Sequence, residues 1–133
     1  MGRRLILDTN LLIDYERRVI DRAALDDDEI AIAGVTLAEY RVGIELASTA
    51  PRATDRARTL AAMMPNLEVL AYTESTAVHH ARLLAWARRS GRPRGAHDLI
   101  IASHAAETDR VIVSSDAKAR FADLPGVLAI EPS

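Results

Sequence analysis

Arg4-Leu5-Ile6-Leu7-Asp8-Thr9-Asn10-Leu11-Leu12-Ile13 is the stretch that sets the architecture of this 133-residue chain. A short apolar run that stops at an acid predicts a buried strand. From Thr9 to Arg18 the apolar residues Leu11, Leu12 and Tyr15 then mark one helical face. The same alternation repeats down the chain. Ile30–Ala33 is a second strand closed by Gly34, and from Thr36 the residues Leu37, Tyr40, Ile44 and Leu46 recur at helical spacing. Pro51 suits a helix start for Arg52 to Met64, which Pro65 stops. Leu67–Leu70 is a third strand. Ser75 or Thr76 caps a long helix through Arg88 that Gly91 and Pro93 end. Ala96 to Glu107 is a helix, Val111–Val113 a fourth strand, Ala117 to Ala122 a short helix, and Val127–Ile130 an edge strand. Short, almost wholly aliphatic strands alternating with helices predict an α/β fold, with a mainly parallel sheet of four to five strands covered on both faces. In such sheets ligands bind beyond the carboxyl ends of the strands.

Length fits one domain spanning 1–133. Hydrophobic residues make up 49% and aromatics only 4%, which suits helices on a sheet better than a β-sandwich. No window approaches the roughly 18 apolar residues of a membrane span. The apolar run after Met1-Gly2-Arg3-Arg4 ends at Asp8, too soon for a signal-peptide core, so a cytoplasmic location without membrane contact is expected. Cysteine is absent, which excludes disulfides and thiolate metal sites. Asp26-Asp27-Asp28-Glu29 reads as a solvated charged turn.

Net charge is −2, yet the bases are unevenly placed. Arg82, Arg88, Arg89, Arg92 and Arg94 fall between Ala81 and His97, a stretch with no acid. Guanidinium forks pair with phosphate oxygens at two points, so this patch suits a nucleic-acid backbone. The alternative is a solvated helix end in which Arg88 and Arg89 complement the dipole.

Four acids are candidates for one edge of the sheet. Asp8 ends the first strand, Asp116 follows the fourth, Glu39 is in the first turn of the helix after strand two, and Asp98 is near the start of an apolar helix. Each has a structural reading as well: Asp8 and Asp116 as caps of the helices after them, Thr36-Leu37-Ala38-Glu39 as a capping box, Asp98 as a charge at a positive helix end. Converging carboxylates repel and lose hydration. A hard divalent cation, Mg²⁺ or Mn²⁺, relieves both costs with oxygen ligands. Without cysteine or a helical histidine pair, zinc is disfavoured. His79, His80 and His104 read as surface or satisfied histidines.

In this order and context the acids resemble those of the PIN-domain ribonucleases, especially the VapC toxins of bacterial toxin–antitoxin pairs. The matching motifs are Leu5-Ile6-Leu7-Asp8-Thr9-Asn10, Val35-Thr36-Leu37-Ala38-Glu39, His97-Asp98-Leu99-Ile100-Ile101-Ala102 and Val113-Ser114-Ser115-Asp116, and the similarity covers essentially the whole chain. The resemblance implies an α/β/α sandwich with Asp8, Glu39, Asp98 and Asp116 around Mg²⁺ or Mn²⁺. Thr9, Asn10 and Ser115 match positions that help arrange the metal. Some relatives carry another acid where this chain has Lys118, which puts a second metal in doubt and offers Lys118 to phosphate.

The implied activity is endoribonucleolytic: a metal-activated water attacks an RNA phosphodiester, in transfer RNA or a ribosomal RNA loop, while the arginines guide the strand. The implied partners are a VapB-type antitoxin, promoter DNA through that antitoxin, and a second copy in a homodimer. The helix carrying Ala38, Tyr40, Val42 and Leu46, with the helix beginning at Pro51, is the candidate partner surface. The rival is a catalytically silent PIN-like binding module. A haloacid-dehalogenase phosphatase would need a second Asp where Asn10 stands, and a receiver domain needs an Asp ending strand three, where Leu70-Ala71-Tyr72 has none.

Overall fold

The computed structural model describes residues 2–16, 25 and 27–132. Five strands, β1 (Arg4–Leu7), β2 (Glu29–Ala33), β3 (Glu68–Leu70), β4 (Val111–Val113) and β5 (Leu128–Ile130), form one sheet in the order β3-β2-β1-β4-β5. Every pairing is parallel, with Leu5 opposite both Ile30 and Val111. The chain steps outward from β1 to β3, then crosses back to lay β4 on the other side of β1. The carboxyl ends of β1 and β4 therefore flank the switch point, where an open α/β sheet leaves a crevice.

Alternation along the strands explains the layers. Leu5, Leu7, Ile30, Ile32 and Val113 pack with residues of α1 (Thr9–Glu16), α2 (Gly34–Glu45) and α3 (Ala50–Met63). Ile6, Ala31, Ala33, Leu70 and Ile112 face the other way, onto α4 (Glu74–Ser90) and α5 (Ala96–Thr108). Leu5, Ile6 and Leu7 are fully buried, worth roughly 2 kcal/mol each. They fix the strand that ends at Asp8.

Helix starts depart from the sequence reading in three places. α2 begins at Gly34, directly from β2, with Ala33 as a cap that makes no side-chain bond. Thr36 is thus inside the helix and buried, with Oγ1 unpartnered, and the Thr36–Glu39 capping box does not form. α4 is capped by Thr73 rather than Ser75 or Thr76. Thr73 N–H donates to Thr76 Oγ1 at 3.0 Å while Thr76 N–H returns to Thr73 Oγ1. The short helix expected over Ala117 to Ala122 is two 3₁₀ turns, Ala117–Ala119 and Phe121–Asp123, parted by Arg120 at φ 46°. Gly91, at φ 64°, ends α4 in the left-handed conformation that glycine adopts without strain.

Within the acidic run, Asp28 is not a solvated charge. It accepts from Arg3 N–H and from the Arg3 guanidinium, both at 2.8 Å, which holds its carboxyl below the ordinary range. Asp26 lies outside the described residues, as do Arg17 and Arg18 of the helix expected after Thr9. Among the described residues no helix is long and apolar enough to cross a membrane.

Candidate active site

Asp8 is buried at the end of β1, and its two oxygens have different partners. Oδ1 accepts from Leu11 N–H at 2.9 Å and so caps α1. Oδ2 accepts from the Ser114 hydroxyl, which itself accepts Asp116 N–H at 3.0 Å. One hydroxyl thereby ties the end of β1 to the loop after β4. Asp116 Oδ1 in turn accepts Lys118 N–H at 2.9 Å, starting the first 3₁₀ turn.

Asp98 occupies the first turn of α5, whose N-cap Gly95 makes no side-chain bond. Its carboxylate folds back over that glycine, so a Cβ at Gly95 would stand 3.2 Å from Asp98 Oδ2. Glu39, a turn into α2, turns Oε1 inward to 2.6 Å from His97 Nδ1. This is a close contact without aligned hydrogen-bond geometry: Oε1 is buried and has no hydrogen-bond partner.

The electrostatics connect the four acids. Burial pushes the Asp98 carboxyl above its ordinary value, and Asp116, Asp8 and Glu39 push it further, against a smaller opposing pull from His97. Burial also pushes Asp8 up, opposed by the bonds from Ser114 and Leu11, with Asp116 and Asp14 adding repulsion. The four acids predicted from sequence therefore share one electrostatic field at the switch point. Among the described residues no three of them close into a ready ligand set. The all-carboxylate donor set fits a hard cation such as Mg²⁺, which takes oxygen ligands.

Three neighbours were not picked out from the sequence. Ser114, rather than the exposed Ser115, supplies the hydroxyl on Asp8. His97 touches Glu39, and Asp14 adds a fifth nearby carboxylate. Ser114 had a usable signal, since a small hydroxyl directly after a buried strand can reach the neighbouring strand's end; for His97 and Asp14 the contact depends on helix placement. Thr9 is half-buried at the start of α1, and Asn10 is exposed. Of the basic group, Arg82, Arg88, Arg89, Arg92 and Lys118 are exposed. Arg94 is the exception. Its side chain is 1% exposed, its guanidinium lies 5.9 Å from the Trp86 ring centroid, and Nη1 donates to the Arg92 carbonyl at 2.8 Å. It is not placed as a surface contact for a phosphate backbone.

The PIN domain pattern matches residues 5–126. The chain belongs to the PIN-domain family. Within it, the chain is 35% identical over 127 residues to Ribonuclease VapC5 of Mycobacterium tuberculosis, covering 95% of this chain and 91% of that one. VapBC-5 of the same organism, a solved member of the VapBC family of toxin–antitoxin systems, superposes with a TM-score of 0.75 at 31% identity, over 98% of both chains. The structure of DNA-bound VapBC from Salmonella typhimurium gives a TM-score of 0.81 at 27% identity, again over 98% of each. Membership of the PIN family accounts for the parallel α/β sheet.

Proposed function

We propose that this PIN-domain chain is a divalent-metal-dependent endoribonuclease and the toxin of a toxin–antitoxin pair. The observation that carries the reading is the placement of Asp8 at the end of β1, tied through Ser114 to Asp116 after β4 at the sheet's switch point, with Asp98 in the same field. Such a cluster is a cost to the fold unless a cation offsets it. Asp8, Asp98 and Asp116 would hold Mg²⁺ or Mn²⁺, with Glu39 contributing through the oxygen not turned toward His97. The ion, when bound, supplies an activated water and charge stabilisation for an in-line displacement at phosphorus. Ser114 fixes the Asp8 carboxylate and the Asp116 backbone in one frame. Gly95 leaves room for the Asp98 carboxylate. The exposed Arg82, Arg88, Arg89 and Arg92, with Lys118, would hold the RNA backbone by charge.

The antitoxin reading rests on a second surface. Between α2 and α3 runs a groove of about 510 Å³ lined by Leu37, Ala57, Leu60, Met64 and Pro65, with Arg41 at its edge. Val42 on α2 and Leu46, at its C-cap, are 51% and 78% exposed. An apolar segment of a VapB-type partner fits this groove, and promoter DNA would be reached through that partner. A homodimer is the expected state of the free chain.

The test is direct. Purified protein should cut transfer RNA or a ribosomal RNA loop with Mg²⁺ or Mn²⁺, and calorimetry should detect binding of the ion alone. Asp8→Asn and Asp98→Asn should abolish both. Undiminished cleavage by the two variants would overturn the nuclease assignment, and absent metal binding would favour a silent binding module.

A further inference from the structure

The turn after Asp116 holds a residue that its backbone does not favour. Among the described residues four have positive φ: Gly91, Gly126, Asp109 and Arg120. Glycine adopts this conformation freely, and Asp109, at the C-cap of α5, is of a type that tolerates it. Arg120, at φ 46° and ψ 47°, is strained there by its Cβ. The fold explains the backbone. Ala119 and Phe121 on either side are each 3% exposed, so the chain must turn between two buried anchors. It does not explain the arginine, since glycine or asparagine makes such a turn with less strain.

The side chain gives no structural reason either. Arg120 is exposed, and its guanidinium makes no hydrogen bond or ion pair with any described residue. Yet it lines a pocket of about 190 Å³ together with Ser114, Asp116 and Glu131, with Phe121 and Ala129 as apolar members. That volume is below the roughly 300–1,000 Å³ of whole-ligand sites, so it takes a group rather than a molecule. Ser114 and Asp116 are the residues that tie the end of β1 to the loop after β4. Backbone strain kept beside such residues, with no bond made in the fold by the strained side chain, marks a functional contact.

We propose that Arg120 is a phosphate contact of the RNA, pairing through its planar fork with the oxygens of a phosphate at the cation that Asp116 would help to hold. The charges select this occupant. Asp116 and Glu131 line the same pocket and would repel a bare anion, so a phosphate settles there only with a cation on the carboxylates. The guanidinium then meets two phosphate oxygens at once, the geometry it fits best. Arg88 lines a pocket without an acid, whereas Arg120 shares its own with one of the four. The proposal rests on the nuclease reading and extends it by one named contact to the substrate.

Two measurements on the full chain separate a functional arginine from a structural one. In metal-free thermal melts Arg120→Gly should raise Tm by about 2–4 °C, because glycine removes the strain. With Ca²⁺ as the cation, binding of a fluorescein-labelled single-stranded oligoribonucleotide is followed by anisotropy over a salt series. The slope of log K against log salt should become shallower by about 0.7 in Arg120→Gly, the loss of one phosphate contact on a single strand. Arg120→Asn, which also accepts the turn, should behave alike, and Arg120→Lys should keep most of the slope. Arg58→Gln, on α3 and outside this pocket, should leave the slope as in wild type. A lower Tm for both Arg120→Gly and Arg120→Asn overturns the proposal, as does an unchanged slope. An equal change of slope in Arg58→Gln overturns it too, since that reports net charge alone. Cleavage in Mn²⁺ with an unchanged slope would sink the Arg120 contact and leave the nuclease reading standing. A slope that falls as expected in a chain that never cleaves would sink the nuclease reading alone.

Discussion

Replacing Asp98 with Asn should make the metal-free protein more stable while removing its response to metal. Asp98 is half-buried and sits in the field of Asp116, Asp8 and Glu39. Like charges across a partly wetted site cost on the order of 1 kcal/mol each before screening. Solvent screening reduces this sharply, and the N-terminus of α5 returns about 0.5 kcal/mol to a negative charge. The net relief on neutralisation is about 1 kcal/mol, or about 4 °C in Tm for a chain of this length. The pH dependence has a fixed sign. A carboxyl whose folded pKa is raised contributes stability that is full below its ordinary value of 3.8 and is lost as pH rises through the folded value. Asparagine mimics the protonated form, so the variant's advantage vanishes in acid and is complete at neutral pH. Mn²⁺ reverses the ranking. At 100 times its Kd a ligand adds about 2.7 kcal/mol to the native state, which only the wild-type chain should gain. Thermal melts with chelator and with Mn²⁺, across pH, give all four comparisons. An Asp98→Asn variant that melts lower than wild type in chelator at neutral pH, or that gains equally from Mn²⁺, would refute the reasoning.

Ser114→Ala removes the donor to Asp8 Oδ2 and the acceptor of Asp116 N–H. It should cost about 2 kcal/mol in denaturant titration and lower Mn²⁺ affinity by roughly 10–100-fold in calorimetry. Gly95→Ala sets a methyl 3.2 Å from Asp98 Oδ2 with no backbone strain, since φ is −59°. Its melt should change by about 0.5 kcal/mol or less, while Mn²⁺ binding and cleavage fall because Asp98 must move. Gly126→Ala is the contrast: φ is 75° with open space around the added carbon, so about 1 kcal/mol is lost to strain and Mn²⁺ affinity holds.

The sheet was legible because its strands are nearly pure aliphatic runs, and two-sided burial leaves no other pattern. Leu5-Ile6-Leu7 ending at Asp8 is the clearest case, since a fully buried aliphatic run stops at a charged residue. Helix starts were less legible. Hydroxyls crowd before α4 at Thr73, Ser75 and Thr76, and choosing among them takes the backbone path, on which Thr73 and Thr76 bond each other. The same holds for α2, where the chain passes from β2 into helix with no loop to hold a cap. The arginine group shows another limit. Composition makes five arginines look alike, but Arg94 follows Pro93 in a loop that turns it inward beneath Trp86.

For Asp8 and Asp116, the helix-cap reading and the proposed metal-ligand reading are compatible. A carboxylate offers about four lone-pair sites. Asp8 spends one on Leu11 and one on Ser114, and Asp116 spends one on Lys118 N–H. Each keeps acceptor capacity for a cation, and the bonds already made hold the side chain in one orientation. On the proposed metal-binding reading, capping pre-positions the ligand. An acid anchored this way loses little rotational freedom when a metal arrives, so the same bonds that start α1 and the turn after Asp116 lower the entropic cost of ion binding. Glu39 is not anchored in this way. Its capping box is not formed, and its Oε1 lies 2.6 Å from His97 Nδ1, so on the same reading its hold on a cation should be readily exchanged.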